Sequence, residues 1–391
     1  MRSHSRGPRR THTRIPIVKD VTRQHNDSTR RPEVVAQRTP DRSPPDVAGG
    51  SPEPILVVDR LRTGFVTDEG FVPAVIDVSF HLHQGETLCL VGESGSGKSL
   101  TAQSIMGLVD PPGWVQSGRI LFKGRDLLDL PERDWQRVRG AEIALIFQEP
   151  MAALNPVFTI GAHIEEMLIV HRRATRRAAR QRAIELLDAV RVPDAPRRAR
   201  DYPHQLSGGL RQRAMIAMSL ACNPDILIAD EPTTALDVTL QAQVLELLRD
   251  IQSRLGLALL LITHDLGIVA EMADRVAVMY AGRIVEESRV GPLFTDPKHP
   301  YTRGLLKSIP GGAPGSQLVA IPGTVPRPGA LPAGCCFEPR CPSRFEPCRQ
   351  AHPGVTDFGM GRTVKCYLHG PAVEPEVSAP AGLDAGHAPT A

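Results

Sequence analysis

The sequence predicts an α/β fold in which an open sheet of parallel strands carries a phosphate-binding loop at one edge. Three observations predict it. The apolar, strand-like run Thr87–Val91 leads into a glycine-rich loop, and a segment with helical character follows. Two further apolar strands, at residues 225–229 and 259–262, each end in polar residues. Because parallel strands bring their carboxyl ends to one edge, we expect these polar residues to meet the loop.

The glycine-rich loop at residues 92–99, GESGSGKS, fits the phosphate-binding P-loop pattern G-x-x-x-x-G-K-[ST]. Its glycines let successive backbone N–H groups face one anion, and the following helix start adds partial positive charge. A plain connector is the alternative, but strand, loop and helix stand in the order that phosphate binding requires. Lys98 would reach the β- and γ-phosphates, and Ser99 would hold Mg²⁺. The residues predicted to contact nucleotide are Gly92, Ser94, Gly95, Ser96, Gly97, Lys98, Ser99 and Leu100.

Polar residues that follow the other two strands supply candidate chemistry. Asp230 and Glu231 end one strand, and adjacent buried carboxylates repel unless a cation or proton relieves them. Asp230 is suited to bind Mg²⁺, and Glu231 to polarise a water against the γ-phosphate. His264 follows the other strand; a lone histidine is usually structural, but beside a phosphate site it is a candidate γ-phosphate contact. The LSGGLRQR segment at 206–213 opens a helix and indicates a second anion site.

The flanking segments are predicted from periodicity. Residues 54–91 read as short strands with Phe65 between the first two. A ring there is suited equally to stack on adenine or to pack in the core. Helical periodicity runs from residue 160 to about 192, and Pro193 is expected to break that helix. Its arginine-rich stretch at 172–182 is interpreted as a solvated face.

Composition bounds the class of protein. The 391 residues are 41% hydrophobic, enough for a large core, and the net charge of +3 does not by itself indicate nucleic-acid binding. No apolar run approaches the roughly 20 residues of a membrane-spanning helix. Residues 1–53 (basic) and 371–391 (Ala/Pro-rich) are predicted to be disordered tails. For the first tail, attraction to an anionic membrane is one interpretation, and we favour a solvated tail or an over-long start assignment.

These motifs together resemble the ATP-binding subunits of ABC transporters. The P-loop, Gln148, LSGG at 206–209, Asp230–Glu231, ALD at 235–237 and His264 occur in that family's order. The resemblance runs from residue 54 to about 370. It implies a P-loop NTPase with a RecA-like core, an antiparallel β subdomain and a helical subdomain at about 149–215, within an ATP-binding domain at 54–310.

The resemblance also implies roles for individual residues. Phe65 would stack on adenine, Glu231 would be the catalytic base and His264 the switch histidine. Gln148 would sense nucleotide and Mg²⁺ and couple them to the membrane subunits. The signature residues Ser207, Gly208 and Gly209, with Asp237, would contact ATP held by a second ATPase subunit. Leu210 departs from the family pattern, which has glutamine there, but the main donors remain.

Segments around the motifs resemble the peptide importers: EPMAALNP at 149–156, YPHQ at 202–205 and FTDPKHPYTRGLL at 294–306. The resemblance implies the first ATPase subunit of a dipeptide/oligopeptide importer, with nickel and antimicrobial-peptide importers as close alternatives. The implied partners are a second, homologous but different ATPase subunit, two membrane permeases and, indirectly, an extracytoplasmic solute-binding protein, without nucleic acid. The implied location is the cytoplasmic face of the cell membrane.

Other classes of ABC-type ATPase fit less well. DNA-repair members usually place a long coiled coil between P-loop and signature, but only about 110 residues separate them here. Ribosome-acting members usually carry two cassettes, and this chain has one P-loop. A metal-binding redox sensor would leave the ATPase motifs unexplained.

Five of the seven cysteines lie in a Pro/Gly-rich extension predicted at residues 311–370. In a cytosolic enzyme, clustered cysteines indicate metal rather than disulfides. Cys335, Cys341, Cys348 and Cys366 have the spacing C-x5-C-x6-C-x17-C, which resembles the [4Fe–4S] site of peptide-importer ATPases. Four thiolates also suit Zn²⁺, and Cys336 is an alternative ligand to Cys335. Metal-free thiols are a third interpretation, ranked below metal.

Overall fold

The computed structural model describes residues 53–148, 153–172, 174–234, 236–309 and 320–370. The predicted tails, except Glu53, lie outside these residues, as do residues 149–152 of the importer-like segment and Ala235 of the ALD motif. Within the described residues, no helix is both long and apolar enough to cross a membrane.

The strands form two sheets. They are β1 Leu56–Thr67, β2 Gly70–Leu82, β3 Thr87–Val91, β4 Gly113–Phe122, β5 Arg125–Asp126, β6 Ile143–Ile146, β7 Ile226–Asp230, β8 Ala258–Thr263, β9 Arg275–Tyr280, β10 Arg283–Arg289, β11 Thr356–Asp357 and β12 Thr363–Val364.

The helices flank the larger sheet or form a separate subdomain. They are α1 Lys98–Ile105, α2 Glu132–Val138, α3 Ile160–Arg172, α4 Arg176–Ala189, α5 Ala195–Arg198, α6 Gly208–Ser219, α7 Val238–Leu255, α8 Leu266–Met272, α9 Val290–Thr295, α10 Pro300–Lys307 and α11 Pro347–Gln350. Short 3₁₀ turns occur at Pro203–Gln205, Glu338–Arg340 and Tyr367–His369.

The larger sheet has the order β11-β12-β10-β9-β3-β8-β7-β6, and its members from β9 to β6 are parallel. Every residue of β3, β7 and β8 is buried, because packed layers cover both faces of these strands. Alternate residues therefore enter different cores: Leu88 and Leu90 pack on one side, and Cys89 and Val91 on the other. The P-loop follows β3, as predicted, and β3 is an interior strand of this sheet.

The antiparallel subdomain has the strand order β2-β1-β4-β5. The position of Phe65 in this sheet differs from the one predicted. Phe65 lies within β1, where it pairs with Val72 and Gly113, and not between two strands. The prediction was wrong because β1 contains register shifts that interrupt the alternation of side chains without ending the strand.

The helical subdomain divides where one long helix was expected. Helix α3 ends at Arg172, and Thr175 caps α4 by accepting a hydrogen bond from the Ala178 N–H. Helix α4 ends at Ala189, before Pro193. A threonine side chain can satisfy the open N–H groups at the start of a new helix. The prediction missed this break because the helical periodicity continues across it. The arginines of α4 are exposed, as predicted.

Candidate nucleotide site and cysteine pocket

The P-loop lies tightly against the end of β9, and two of its glycines make this approach possible. A Cβ on Gly92 would lie 2.1 Å from the carbonyl oxygen of Met279. Gly97, the N-cap of α1, has φ +102°, and a Cβ there would lie 2.9 Å from the carbonyl oxygen of Ala74. A larger residue at either position would displace the loop.

A cleft of about 900 Å³ opens above this loop. It brings together residues from the β subdomain, the P-loop, β7 and β8, which are far apart in the sequence. The predicted site residues that line it are Phe65, Gly92, Ser94, Gly95, Gly97, Lys98, Ser99, Leu100, Gln148, Glu231 and His264. Ser96, also in the loop, is buried. Phe65 is 37% exposed, so its ring faces the cleft and not the core.

Lys98 is held inside the loop. Its Nζ donates to the carbonyl oxygens of Gly92 (2.8 Å) and Glu93 (3.0 Å). Burial lowers the pKa of Lys98, although the carboxylates of Glu231 and Asp230 oppose that change. The ammonium therefore has only neutral carbonyl oxygens as its closest acceptors, and the oxygens of a bound anion could replace them.

Asp230 and Ser99 provide oxygen ligands suited to Mg²⁺. Burial raises the pKa of Asp230, and its hydrogen bond with Ser99 partly offsets this effect. The Oδ1 atom is buried without a protein hydrogen-bond partner. An orphaned buried carboxylate oxygen is costly, and a bound cation would relieve that cost, so these residues fit a hard metal ion.

Glu231 is the centre of a hydrogen-bonded group. Thr234 Oγ1 and Gln148 Nε2 donate to its Oε2 at 2.8 and 3.3 Å, and His264 Nδ1 lies 3.1 Å from its Oε1. Burial favours the protonated form, but the hydrogen bonds from Thr234 and His264 outweigh it and hold the pKa of Glu231 below its usual value. Glu231 is thus an ionised, oriented carboxylate facing the cleft.

The signature residues are not brought to this cleft. Ser207 caps α6 by accepting from the Leu210 N–H, and Gly208 and Gly209 form the first turn of that helix. Asp237 caps α7 by accepting from Thr239 and Leu240. None of these four residues lines the cleft in the described part of the chain.

The cleft also has residues that motif reasoning missed. Gly323, Thr324 and Val325, from the C-terminal part of the chain, form one of its walls. The hydroxyl of Tyr301 accepts from the backbone N–H of Glu93 at 2.9 Å. Tyr301 lies in the first turn of α10, which begins at Pro300. No local pattern indicated its contact with the P-loop.

Cys335, Cys341, Cys348 and Cys366 line one small pocket. Cys336 does not line it, and its thiol is hydrogen-bonded with Arg283. Burial raises the pKa of Cys335 to about 12 and that of Cys366 to about 11. Among the described residues, no three Cys, His, Asp or Glu side chains are placed so that they could hold a metal ion together.

Comparisons with known proteins agree with this architecture. Residues 75–234 match the family described as ABC transporter, and residues 285–348 match the oligopeptide/dipeptide transporter C-terminal region. The chain is 52% identical to the oligopeptide transport ATP-binding protein AppD of Bacillus subtilis over 81% of this chain and 97% of that protein. It is 51% identical to the dipeptide transport ATP-binding protein DppD of the same organism, over 81% and 95%.

A solved structure, the dimeric bacterial ABC transporter cassette MJ0796, is similar with a TM-score of 0.55 and 29% identity. The match covers 60% of this chain and 98% of the MJ0796 chain. The predicted fold class is confirmed. With its P-loop cleft and its similarity across most of the length of these relatives, the chain belongs to the ABC-transporter ATP-binding proteins, in the group that carries the oligopeptide/dipeptide transporter C-terminal region.

Proposed function

We propose that this protein is the ATP-hydrolysing subunit of an importer of dipeptides or oligopeptides. The observation that carries the proposal is the convergence of Lys98, Glu231 and His264 on one cleft, in a chain about half identical to peptide-transport ATP-binding proteins. Its domains would be an ATP-binding domain at 54–310 and a cysteine-containing extension at 311–370.

Binding of ATP would use the P-loop amides for the triphosphate and Phe65 for the adenine. Lys98 would exchange the carbonyl oxygens of Gly92 and Glu93 for β- and γ-phosphate oxygens. Ser99, Asp230 and Gln148 would hold Mg²⁺, which when bound neutralises charge on the phosphates. The orphaned Oδ1 of Asp230 supports that assignment.

Hydrolysis would use Glu231 as the general base. Its hydrogen bonds with Thr234 and His264 fix the carboxylate, so that it would orient a water and accept a proton from it. As that water attacks the γ-phosphorus, the bond to the β,γ-bridging oxygen would break and ADP would leave. His264 would contact the γ-phosphate and report its loss. Gln148 donates a hydrogen bond to the same carboxylate, which supports a role for Gln148 in linking nucleotide state to the membrane subunits.

The assembly would contain a second, homologous ATPase subunit, two membrane permeases and an external solute-binding protein, with this subunit on the cytoplasmic face of the membrane. Ser207, Gly208, Gly209 and Asp237 would then contact ATP held by the other ATPase subunit. A nickel or antimicrobial-peptide importer is the alternative that the sequence left open.

The test is ATP-dependent uptake into vesicles that contain the assembled transporter. We expect uptake of labelled di- or oligopeptides that requires both ATP and this subunit. Uptake of nickel without peptide uptake would favour the alternative. Retention of DNA or ribosomes in place of permeases on co-purification would contradict transport altogether.

For the C-terminal extension, we propose a metal centre, [4Fe–4S] or Zn²⁺, held by Cys335, Cys341, Cys348 and Cys366. What supports it is that four cysteines from separated positions line one pocket, and that thiolates suit both centres. The thiols would need to move from their present positions to reach one metal centre. They would also need to lose their protons, because ligating cysteines are thiolates.

Anaerobic purification followed by iron, sulfide and zinc analysis decides the metal. We expect Cys348→Ser to lose the bound metal, and Cys336→Ser, a matched change of the neighbouring non-lining thiol, to retain it. A wild-type sample with neither iron nor zinc, or equal loss in both variants, would contradict the assignment.

A further inference from the structure

Glu93, the second residue of the P-loop, is held by side chains more than 200 positions away. Its backbone N–H donates to Tyr301, 208 residues further along the chain. Its carboxylate pairs with Arg340, 247 residues further along: Nη1 lies 2.6 Å from Oε2 and Nη2 lies 2.9 Å from Oε1. Such a two-point contact of a guanidinium with a carboxylate fixes orientation as well as charge.

Arg340 is itself rigidly held. Its Nε donates to the carbonyl oxygen of Pro322 at 2.8 Å, and its Nη2 also lies 3.2 Å from that of Ile321. Its guanidinium lies 5.7 Å from the ring centroid of Tyr280, and only 5% of its side chain is exposed. Every guanidinium nitrogen therefore has an acceptor, which restricts this long side chain to one arrangement.

The same segment forms part of the cleft. Ile321 and Pro322, which accept from Arg340, directly precede the lining residues Gly323, Thr324 and Val325. The contact of Arg340 with Glu93 thus joins the P-loop to the segment that contributes Gly323, Thr324 and Val325 to the cleft. Beneath it, Phe337 packs against Tyr280 and Tyr301 with centroid distances of 5.2 and 5.4 Å.

Because Glu93 is charged, its contact with Arg340 affects the binding of a triphosphate. A carboxylate within a phosphate-binding loop repels a triphosphate, most strongly where burial limits screening by water. Glu93 is 32% exposed on its side chain, so water screens it only in part. The guanidinium of Arg340 neutralises that carboxylate and turns it toward the C-terminal segment.

We propose that Arg340 is a positioning residue of the nucleotide site, which neutralises Glu93, fixes the first turn of the P-loop and makes residues 321–325 a wall of the ATP site. This inference deepens the proposed function and rests on it. It assigns the C-terminal segment a direct part in ATP binding, through this chain's own residues.

The test measures binding of a fluorescent ATP analogue to the full chain for the wild type, Arg340→Ala, Arg340→Lys, Glu93→Gln and the Arg340→Ala/Glu93→Gln pair. Arg340→Ala should weaken binding about tenfold, since it removes charge-assisted hydrogen bonds and exposes the triphosphate to an unpaired carboxylate. Removing the charge of Glu93 in the same background should recover most of that loss. Arg340→Lys keeps the positive charge but cannot contact the carboxylate at two points. Its affinity for the analogue should therefore lie between those of the wild type and Arg340→Ala. In the assembled transporter, KM for ATP should rise more than kcat falls.

Arg349→Ala is the matched control, because Arg349 is an exposed arginine of the same segment that pairs with Glu338. It should bind as the wild type does. Binding by Arg340→Ala within twofold of wild type, or a double variant no tighter than Arg340→Ala, would overturn the inference. If Arg340→Ala does not fold, Arg340→Gln is judged by the same two criteria. A wild-type chain that binds no ATP would overturn the proposed function itself, whereas wild-type binding without an Arg340 effect overturns only this inference.

Discussion

Lys98 is a buried cation whose present partners are neutral. Its Nζ contacts the carbonyl oxygens of Gly92 and Glu93, and burial lowers its pKa despite nearby carboxylates. Exchange of those carbonyl oxygens for phosphate oxygens would replace neutral acceptors by charged ones, which form the stronger hydrogen bonds. The arrangement therefore favours binding of a polyanion over the free state.

Lys98→Ala should weaken ATP binding by roughly 10- to 100-fold, the range that loss of hydrogen bonds between charged groups gives. Titration with a fluorescent ATP analogue measures it. Lys123→Ala is the control, since Lys123 is exposed and pairs with Asp225 in a different part of the molecule. Equal affinity of the Lys98 variant and wild type would remove Lys98 from the binding site.

At the scale of elements, Arg275 joins the two sheets. Its Nη1 lies 2.6 Å from Glu86 Oε1 and its Nε 2.9 Å from Glu287 Oε1, while Nη2 donates to the carbonyl oxygen of His81 in β2. Only 10% of the Arg275 side chain is exposed. Burial raises the pKa of Glu287, and Arg275 opposes that change, so the pair stabilises an otherwise unfavourable buried charge.

Arg275→Ala should lower the free energy of unfolding by about 3–5 kcal/mol, because it leaves Glu287 buried without its partner. Arg254→Ala, which removes an exposed pair with Asp250 in α7, should cost at most about 1 kcal/mol. Urea unfolding of both variants gives the comparison. A loss below about 1 kcal/mol for Arg275→Ala would show that the buried network is not needed.

Local patterns predicted the elements that carry the site. The strands β3, β7 and β8 and the loop after β3 were identified from apolar runs and glycines. Their meeting at one edge followed from parallel pairing. The bulged strand β1 and the break before Thr175 were missed, because register shifts and single caps alter periodicity only slightly.

Side-chain direction and long-range contacts could not be predicted. Cys335 and Cys336 are adjacent in the sequence, and only the fold distinguishes the thiol that lines the pocket from the one that faces Arg283. Arg340 lies 247 residues from Glu93, and neither has a spacing that indicates the other. Such contacts depend on how whole elements pack, which no short motif specifies.

In the described residues, the signature lies apart from the P-loop cleft. Ser207 and Asp237 cap helices outside the P-loop cleft, so a single chain does not place them on its own nucleotide. A second ATPase subunit that supplies its own signature would complete the site. If ATP is shared between two such subunits, as proposed above, its binding would drive their association.

Ser207→Ala should leave ATP binding to the isolated chain unchanged and abolish ATP-dependent association with the partner ATPase subunit. Analytical ultracentrifugation with and without ATP measures it. Thr175→Ala removes a comparable helix cap, worth about 1 kcal/mol, at a site remote from the signature, and it should associate normally. Normal association of the Ser207 variant would contradict a role for that residue across the interface.

Glu231, oriented by Thr234 and His264, is the proposed base for ATP hydrolysis in this cleft. The most direct measurement is ATP binding and ATP turnover of the Glu231→Gln variant within the assembled transporter, compared with wild type. The glutamine keeps the size of the side chain and one acceptor oxygen, but it cannot accept the proton. We predict unchanged ATP affinity and turnover reduced by about 10²- to 10⁴-fold. Turnover equal to wild type would contradict the claim.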